Sequence, residues 1–264
     1  MKWLVLASAI GLVLFFSLLV FVFLHFHNSS MPQGIYIMPA VTYNQQLNKD
    51  IFDDFDNKLE LNWSILGIDS SHWSLDKFPG TLTITSQAGS FERVSDDYKN
   101  VFLVDFSADQ SADFQLTTCI SNFKPSAIWN QAGLVIWNDK DNFVKFAYEY
   151  GEETGHGNGL LFSTGREVKG WPVYAWFIAE QTPQKTWLRI IKRNEFYELY
   201  NSTDGENFNP LKFYRSNGNL TKDNRIPILS VPIKSIGIFT SNSNSTLAPE
   251  VDASFDFFEF KILR

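Results

Sequence analysis

The chain has one cysteine and four histidines, and nowhere gathers Lys or Arg into a cluster. A lone cysteine excludes an internal disulfide scaffold, and so few Cys and His argue against a zinc cluster. With 22 basic side chains against 29 acidic ones the net charge is −7, so the basic surface that neutralises phosphates in nucleic-acid binding is missing. No internal repeat, low-complexity segment or βαβ spacing stands out. Aromatic residues, by contrast, are abundant: 25 Phe, 9 Tyr and 8 Trp make 16 % of the 264 residues. Disordered chains are poor in aromatics, so a packed core is expected, in one or two domains.

Trp3 to Phe26 carries no Asp, Glu, Lys or Arg and is dominated by Leu, Val, Phe and Ala. As a helix these residues extend about 36 Å, enough to cross a hydrocarbon core of about 30 Å. A secretory signal has a shorter apolar core and then a small-residue cleavage site, whereas Leu24-His25-Phe26-His27 is a poor one. Residues 1–27 are therefore expected to be an uncleaved signal anchor, with a secreted protein as the alternative if the segment is cut. Lys2 precedes the span and the next basic residue is Lys49, which sets the N-terminus in the cytoplasm and the rest outside it. Five Asn-x-Ser/Thr sites, at Asn28, Asn62, Asn201, Asn219 and Asn244, fit an exported glycoprotein domain; an Asn- and Ser-rich chain also makes such triplets by chance.

Residues 28–50, with Pro32, Gly34 and Pro39, read as a stalk that lies partly along the domain. From Ile51 the pattern is of strands: Thr81–Thr85, Phe114–Ile120 and Phe143–Tyr150 alternate with period two, and Ser254–Ile262 does so apart from a doubled Phe that marks a bulge. Turn signals separate the runs at Phe78–Gly80, Asn138–Asp141, Gly155–Gly159 and Ser202–Gly205. Many short strands without a convincing helix predict an all-β sandwich or barrel over residues 51–264.

Several stretches then fall in a familiar order: Phe52-Asp-Asp-Phe55 with Trp63 behind it, Pro79–Ile84, Gln131–Ile136 followed by Asp141–Lys145, Trp187–Ile190, Tyr200–Gly205 and Phe255–Phe258. In this the chain resembles the concanavalin A-like jelly-roll domain at the C-terminus of family 43 β-xylosidases and related stand-alone domains. The resemblance implies two antiparallel sheets face to face, with the first and last strands adjacent. In the xylosidases this domain accompanies a separate catalytic propeller, for which the chain has no room, so their catalysis is not carried over.

Glycosidase chemistry needs two carboxylates across one cleft, and jelly-roll glucanases set them at alternate positions of one strand. Glu149, Glu152 and Glu153 are interrupted by Gly151, and Asp252, Asp256 and Glu259 span the bulge, so solvent-facing strand carboxylates explain both sets. His72 and His156 lack a nucleophile elbow. A binding face has more support. Alternation places Gln131 and Trp137 on one side of their strand, Lys145 and Glu149 on one side of the next, and Trp187 and Arg189 together on a third. If these faces coincide on the concave sheet, with Trp171, Tyr174 and Trp176 flanking it, they offer amides, charges and indoles to a glycan. The competing explanation is that the indoles are core and the polar row a satisfied internal network. No cofactor is required, although Asp53 or Asp54 would approach Asp256 if the terminal strands pair, as at a structural calcium; a turn or strand-edge charge explains the doublet equally. Cys119 falls on the Gln115/Thr117 side of its strand, most simply as a small buried hydrophobe. The function expected is membrane-anchored, extracytoplasmic, non-catalytic carbohydrate binding; a glycan-active hydrolase or lyase, and a protein-interaction domain, are the alternatives.

Overall fold

Alternation of apolar side chains is what builds the sandwich. In the computed structural model the described residues are 49–90, 97–106, 108–153, 157–169, 171–178, 183–212, 214–215 and 224–264; for 152–153, 157–158, 168, 171–178 and 214–215 only the backbone is described. The described residues belong to one compact unit. The anchor (1–27) and nearly all of the stalk lie outside the described residues, among which no helix is long and apolar enough to cross a membrane.

One sheet contains β1 (Ile51–Asp53), β3 (Trp73–Ser74), β4 (Leu82–Thr85), β6 (Phe114–Ser121), β11 (Lys185–Arg193), β12 (Phe196–Ser202), β13 (Asn209–Pro210), β15 (Arg225–Pro227) and β17 (Asp252–Ile262). Its order is β13-β12-β11-β6-β17-β4-β3, with β1 on β17 and β15 on β12. The other contains β2 (Ser64–Leu66), β5 (Val101–Asp105), β7 (Asn130–Asp139), β8 (Asn142–Glu153), β9 (Gly157–Val168), β10 (Trp171–Ile178), β14 (Tyr214–Arg215) and β16 (Ser235–Ser241). Its order is β14-β10-β9-β8-β7-β16-β5-β2. Every pairing is antiparallel.

Leu82, Ile84, Phe114, Leu116, Leu188 and Ile190 of the first sheet share one buried cluster with Phe102, Leu134, Ile136, Val144 and Phe146 of the second. Burial of such side chains contributes about 1.5–3 kcal/mol each and is the main stabilising term. The first and last strands are adjacent, as the resemblance implies, with Ile51 opposite Phe260 and Asp53 opposite Phe258. The bulge falls at Asp256, where the register shifts between Phe255 and Phe257, one residue before the doubled Phe. One expected turn is corrected. Pairing of β8 with β9 continues to Gly151↔Gly159 and Glu153↔Gly157, so the glycine run is partly strand. At the N-terminal edge of the described residues, Asp50 Oδ1 accepts the Ile262 N–H at 2.9 Å.

Asp53 is the hub of the N-terminal corner. Fully buried, it accepts the Phe55 N–H on Oδ1 at 3.0 Å. Its Oδ2 accepts the N–H groups of Glu60 at 2.8 Å and Leu61 at 3.1 Å, and the Trp63 indole N–H at 2.8 Å. Phe55 adopts a left-handed backbone (φ 55°) that the Asp53 bond holds in place. These contacts explain why the Phe-Asp-Asp-Phe run and Trp63 occur together.

Candidate binding face

The eight-stranded sheet has a second face. Leu134, Ile136, Val144 and Phe146 point inward, whereas Val135, Trp137, Phe143 and Ala147 belong to a separate outward cluster with Val101, Leu103 and Phe239. By the same alternation Gln131, Lys145, Glu149 and Ser163 stand on that outward face. All four are buried, the most exposed at 8 %.

Strand register explains how they meet. Gly133 lies opposite Ala147, and Ala147 opposite Ser163, which leaves a floor of small residues across β7, β8 and β9. Lys145, opposite Val135, reaches across that floor so that its Nζ donates to Gln131 Oε1 at 2.8 Å. On the far side Ser163 Oγ donates to Glu149 Oε2 at 2.7 Å. Gly165 lies opposite Lys145, and fully buried Glu167 opposite Phe143, which continues the polar face along β9. In the next strand Tyr174 takes the position opposite Gly165, and Trp176 the one opposite Ser163. Sequence parity therefore placed Gln131, Trp137, Lys145 and Glu149 together, and the register of β10 brings the Trp176 position to the same row.

Two expectations for this face are corrected. Trp137 stacks on Phe143 with ring centroids 5.7 Å apart and meets Tyr98 edge-on at 6.0 Å, so its indole is core to the outward cluster. Arg189 and Trp187 are not on this sheet at all. They belong to β11, which pairs with β6 and β12 in the other sheet. There Arg189 lies over the Phe208 ring at 3.4 Å and donates through Nε to Thr117 Oγ1 at 3.2 Å. Burial pushes its guanidinium down from the usual range, while Glu259 opposes that shift.

The calcium set does not assemble. The oxygens of Asp53 are taken by the N–H groups named above, and Asp54 Oδ1 accepts the Asp56 N–H at 3.1 Å. Asp256 sits at the bulge on Lys185, with Nζ 2.5 Å from Oδ2, and no group of three His, Cys, Asp or Glu among the described residues is spaced to hold a metal. Pairing of the terminal strands aligns Asp53 with Phe258 instead of Asp256. The other carboxylates of β17 are also ion-paired, Asp252 with Lys77 and Glu259 with Lys261, each at 2.6 Å. Of the glycan acceptors, Asn62 and Asn244 are exposed; Asn201 is half-buried within β12, and Asn28 and Asn219 lie outside the described residues.

Cys119 is fully buried, and its Sγ donates to Asp256 Oδ2 at 3.5 Å. Burial, and then the adjacent Asp256 charge, push its thiol far above the ordinary range. Thiolate is the reactive form, so Cys119 in the native chain at pH 8 is expected to react with a thiol-specific disulfide reagent at least about 100-fold more slowly than in guanidinium. Similar rates in both states would contradict this burial.

Comparison with known proteins places this geometry. The family described as the β-xylosidase C-terminal concanavalin A-like domain matches residues 52–261. A GH43 protein of Bacillus licheniformis, BlXynB, superposes with a TM-score of 0.63 at 22 % identity, over 86 % of this chain and 41 % of its own. A xylan β-1,4-xylosidase of Bacillus halodurans gives a TM-score of 0.53 at 22 % identity, over 85 % of this chain and 41 % of its own. The chain thus spans about two fifths of the length of these enzymes. A functionally unknown protein of Saccharomyces cerevisiae is covered over its whole length (100 %), with a TM-score of 0.52 at 11 % identity. At these identities the superpositions speak to the fold. No curated protein matches the chain.

Proposed function

We propose that this chain, which belongs to the family of β-xylosidase C-terminal concanavalin A-like domains, is a non-catalytic carbohydrate-recognition domain held outside the cytoplasm by its apolar N-terminus. The observation that supports this reading is the polar row on the outward face of the eight-stranded sheet. An amide, an ammonium, a carboxylate and a hydroxyl are set around a floor of small residues. Planar polar groups held in fixed positions are what a sugar's hydroxyls require, and prior ordering lowers the cost of binding. Each member of the row is buried.

The experiment is a glycan-affinity comparison of the full chain with Lys145→Met/Glu149→Gln, and with Glu149→Gln alone should the double variant fail to fold. The expected result is a loss of about tenfold or more, as for removal of one or two charge-assisted hydrogen bonds. Arg189→Ala, on the other sheet, retains the wild-type affinity. A folded double variant with full affinity would overturn the assignment and leave the row a purely structural network.

A further inference from the structure

The nine-stranded sheet carries a cleft of its own, on the side of the sandwich away from the polar row. Its volume is about 690 Å³, within the ~300–1,000 Å³ usual for small-molecule sites. Four segments converge on it: the turn 78–81 before β4, residues 121–124 after β6, residues 183–185 entering β11, and Asp256 in β17. The bulge is what brings Asp256 here. Ser254 and Lys185 both pair with Ser121, and the extra residue turns the Asp256 carboxylate toward the same place.

The charges at the floor are built, not incidental. Asp256 Oδ1 accepts from Ser121 Oγ at 2.6 Å, and Oδ2 accepts from Lys185 Nζ at 2.5 Å. The Asp256 side chain is 19 % exposed and that of Lys185 51 %, so the ammonium presents its remaining N–H groups toward solvent. Lys124 is a second, exposed ammonium of the lining. Among the described lining residues, two lysines against one aspartate leave a net positive charge, in a protein whose net charge is −7. The exposed amides of Asn122 and Gln184 add planar polar groups, and the Phe78 ring, 37 % exposed, adds a flat apolar one.

We infer that this cleft binds an acidic sugar, a uronic acid unit, with its carboxylate on Lys185 and Lys124, its hydroxyls on Asp256 and the amides, and its C–H face on Phe78. An ammonium pair selects a carboxylate, a carboxylate accepts from sugar hydroxyls, and an aromatic ring accepts an apolar sugar face. A neutral sugar would leave the excess positive charge unanswered. A simple carboxylate would leave the amides and the ring unused. The cleft and the polar row occupy different sheets, so the two assignments stand or fall separately.

The test is titration of the full chain, in a detergent without sugar headgroups, with glucuronate and galacturonate, and in parallel with glucose and acetate. Both Lys185→Ala and Lys124→Ala are measured. Lys124 lies on the surface, so its variant keeps the test valid should Lys185→Ala fail to fold. The expected result is saturable binding of at least one uronate, weakened about tenfold by either substitution. Three results would each overturn the proposal: no uronate binding to the folded chain, glucose or acetate binding as tightly as the uronates, or uronate binding indifferent to both lysine substitutions.

Discussion

Replacing Asp53 with alanine is expected to lower stability by about 3–5 kcal/mol and the midpoint of thermal unfolding by about 10 °C. The carboxylate is fully buried and accepts from three backbone N–H groups and the Trp63 indole. Its removal leaves four donors without their acceptor, one of them fully buried and three partly so, and an unmade buried hydrogen bond costs about 1–3 kcal/mol. Asp53→Asn is expected to cost nearly as much, because one oxygen becomes an N–H₂ group facing other donors. Trp63→Phe removes one donor together with its acceptor bond and is expected to cost least. Since N–H groups already occupy the Asp53 oxygens, EDTA is expected to leave the unfolding midpoint of the wild-type chain unchanged. Thermal unfolding of the three variants, with and without EDTA, checks the account. A midpoint that falls in EDTA, or an Asp53→Asn protein as stable as wild type, would contradict it.

Gly237→Ala is expected to be at least as damaging, at about 3 kcal/mol or more. Gly237 lies on the outward face of β16, between Leu103 and Val135. A Cβ there would stand 1.8 Å from the Phe102 carbonyl oxygen and 2.9 Å from its carbon. Both are backbone atoms of the neighbouring strand, so relief requires β5 to move from its hydrogen-bonded position. Gly133→Ala meets the Phe146 carbonyl oxygen at 2.1 Å in the same manner and also fills the floor beneath Lys145 and Glu149. Denaturant unfolding distinguishes these sites from Gly80→Ala, where a Cβ meets nothing within 4 Å and the positive φ of 76° is the only obstacle. Equal, small losses at all three positions would show that the strands are less closely apposed.

Period-two alternation is a local property, and it made β6, β8 and β17 legible together with the parity of Gln131, Trp137, Lys145 and Glu149. Parity does not say which sheet a strand joins. Trp187 and Arg189 share a face of β11 as expected, but β11 pairs with β6, so that face belongs to the other sheet. The burial of Trp137 was hidden for a different reason. It depends on Phe143 across the hairpin and on Tyr98 from a distant segment. The cluster of Cys119, Ser121, Lys185 and Asp256 joins three strands far apart in sequence, and no spacing announces it. The one usable signal was a carboxylate beside the irregularity at Phe257–Phe258. Asp53 was legible as part of a motif, yet its role rests on an indole ten residues away.

The measurement that bears most directly on carbohydrate recognition is a broad glycan-binding screen of the folded full chain in a sugar-free detergent, run with calcium and again with EDTA. The account predicts retention of a defined glycan in both conditions. Silence in both, from a chain whose unfolding transition is intact, would contradict it and direct attention to a protein partner.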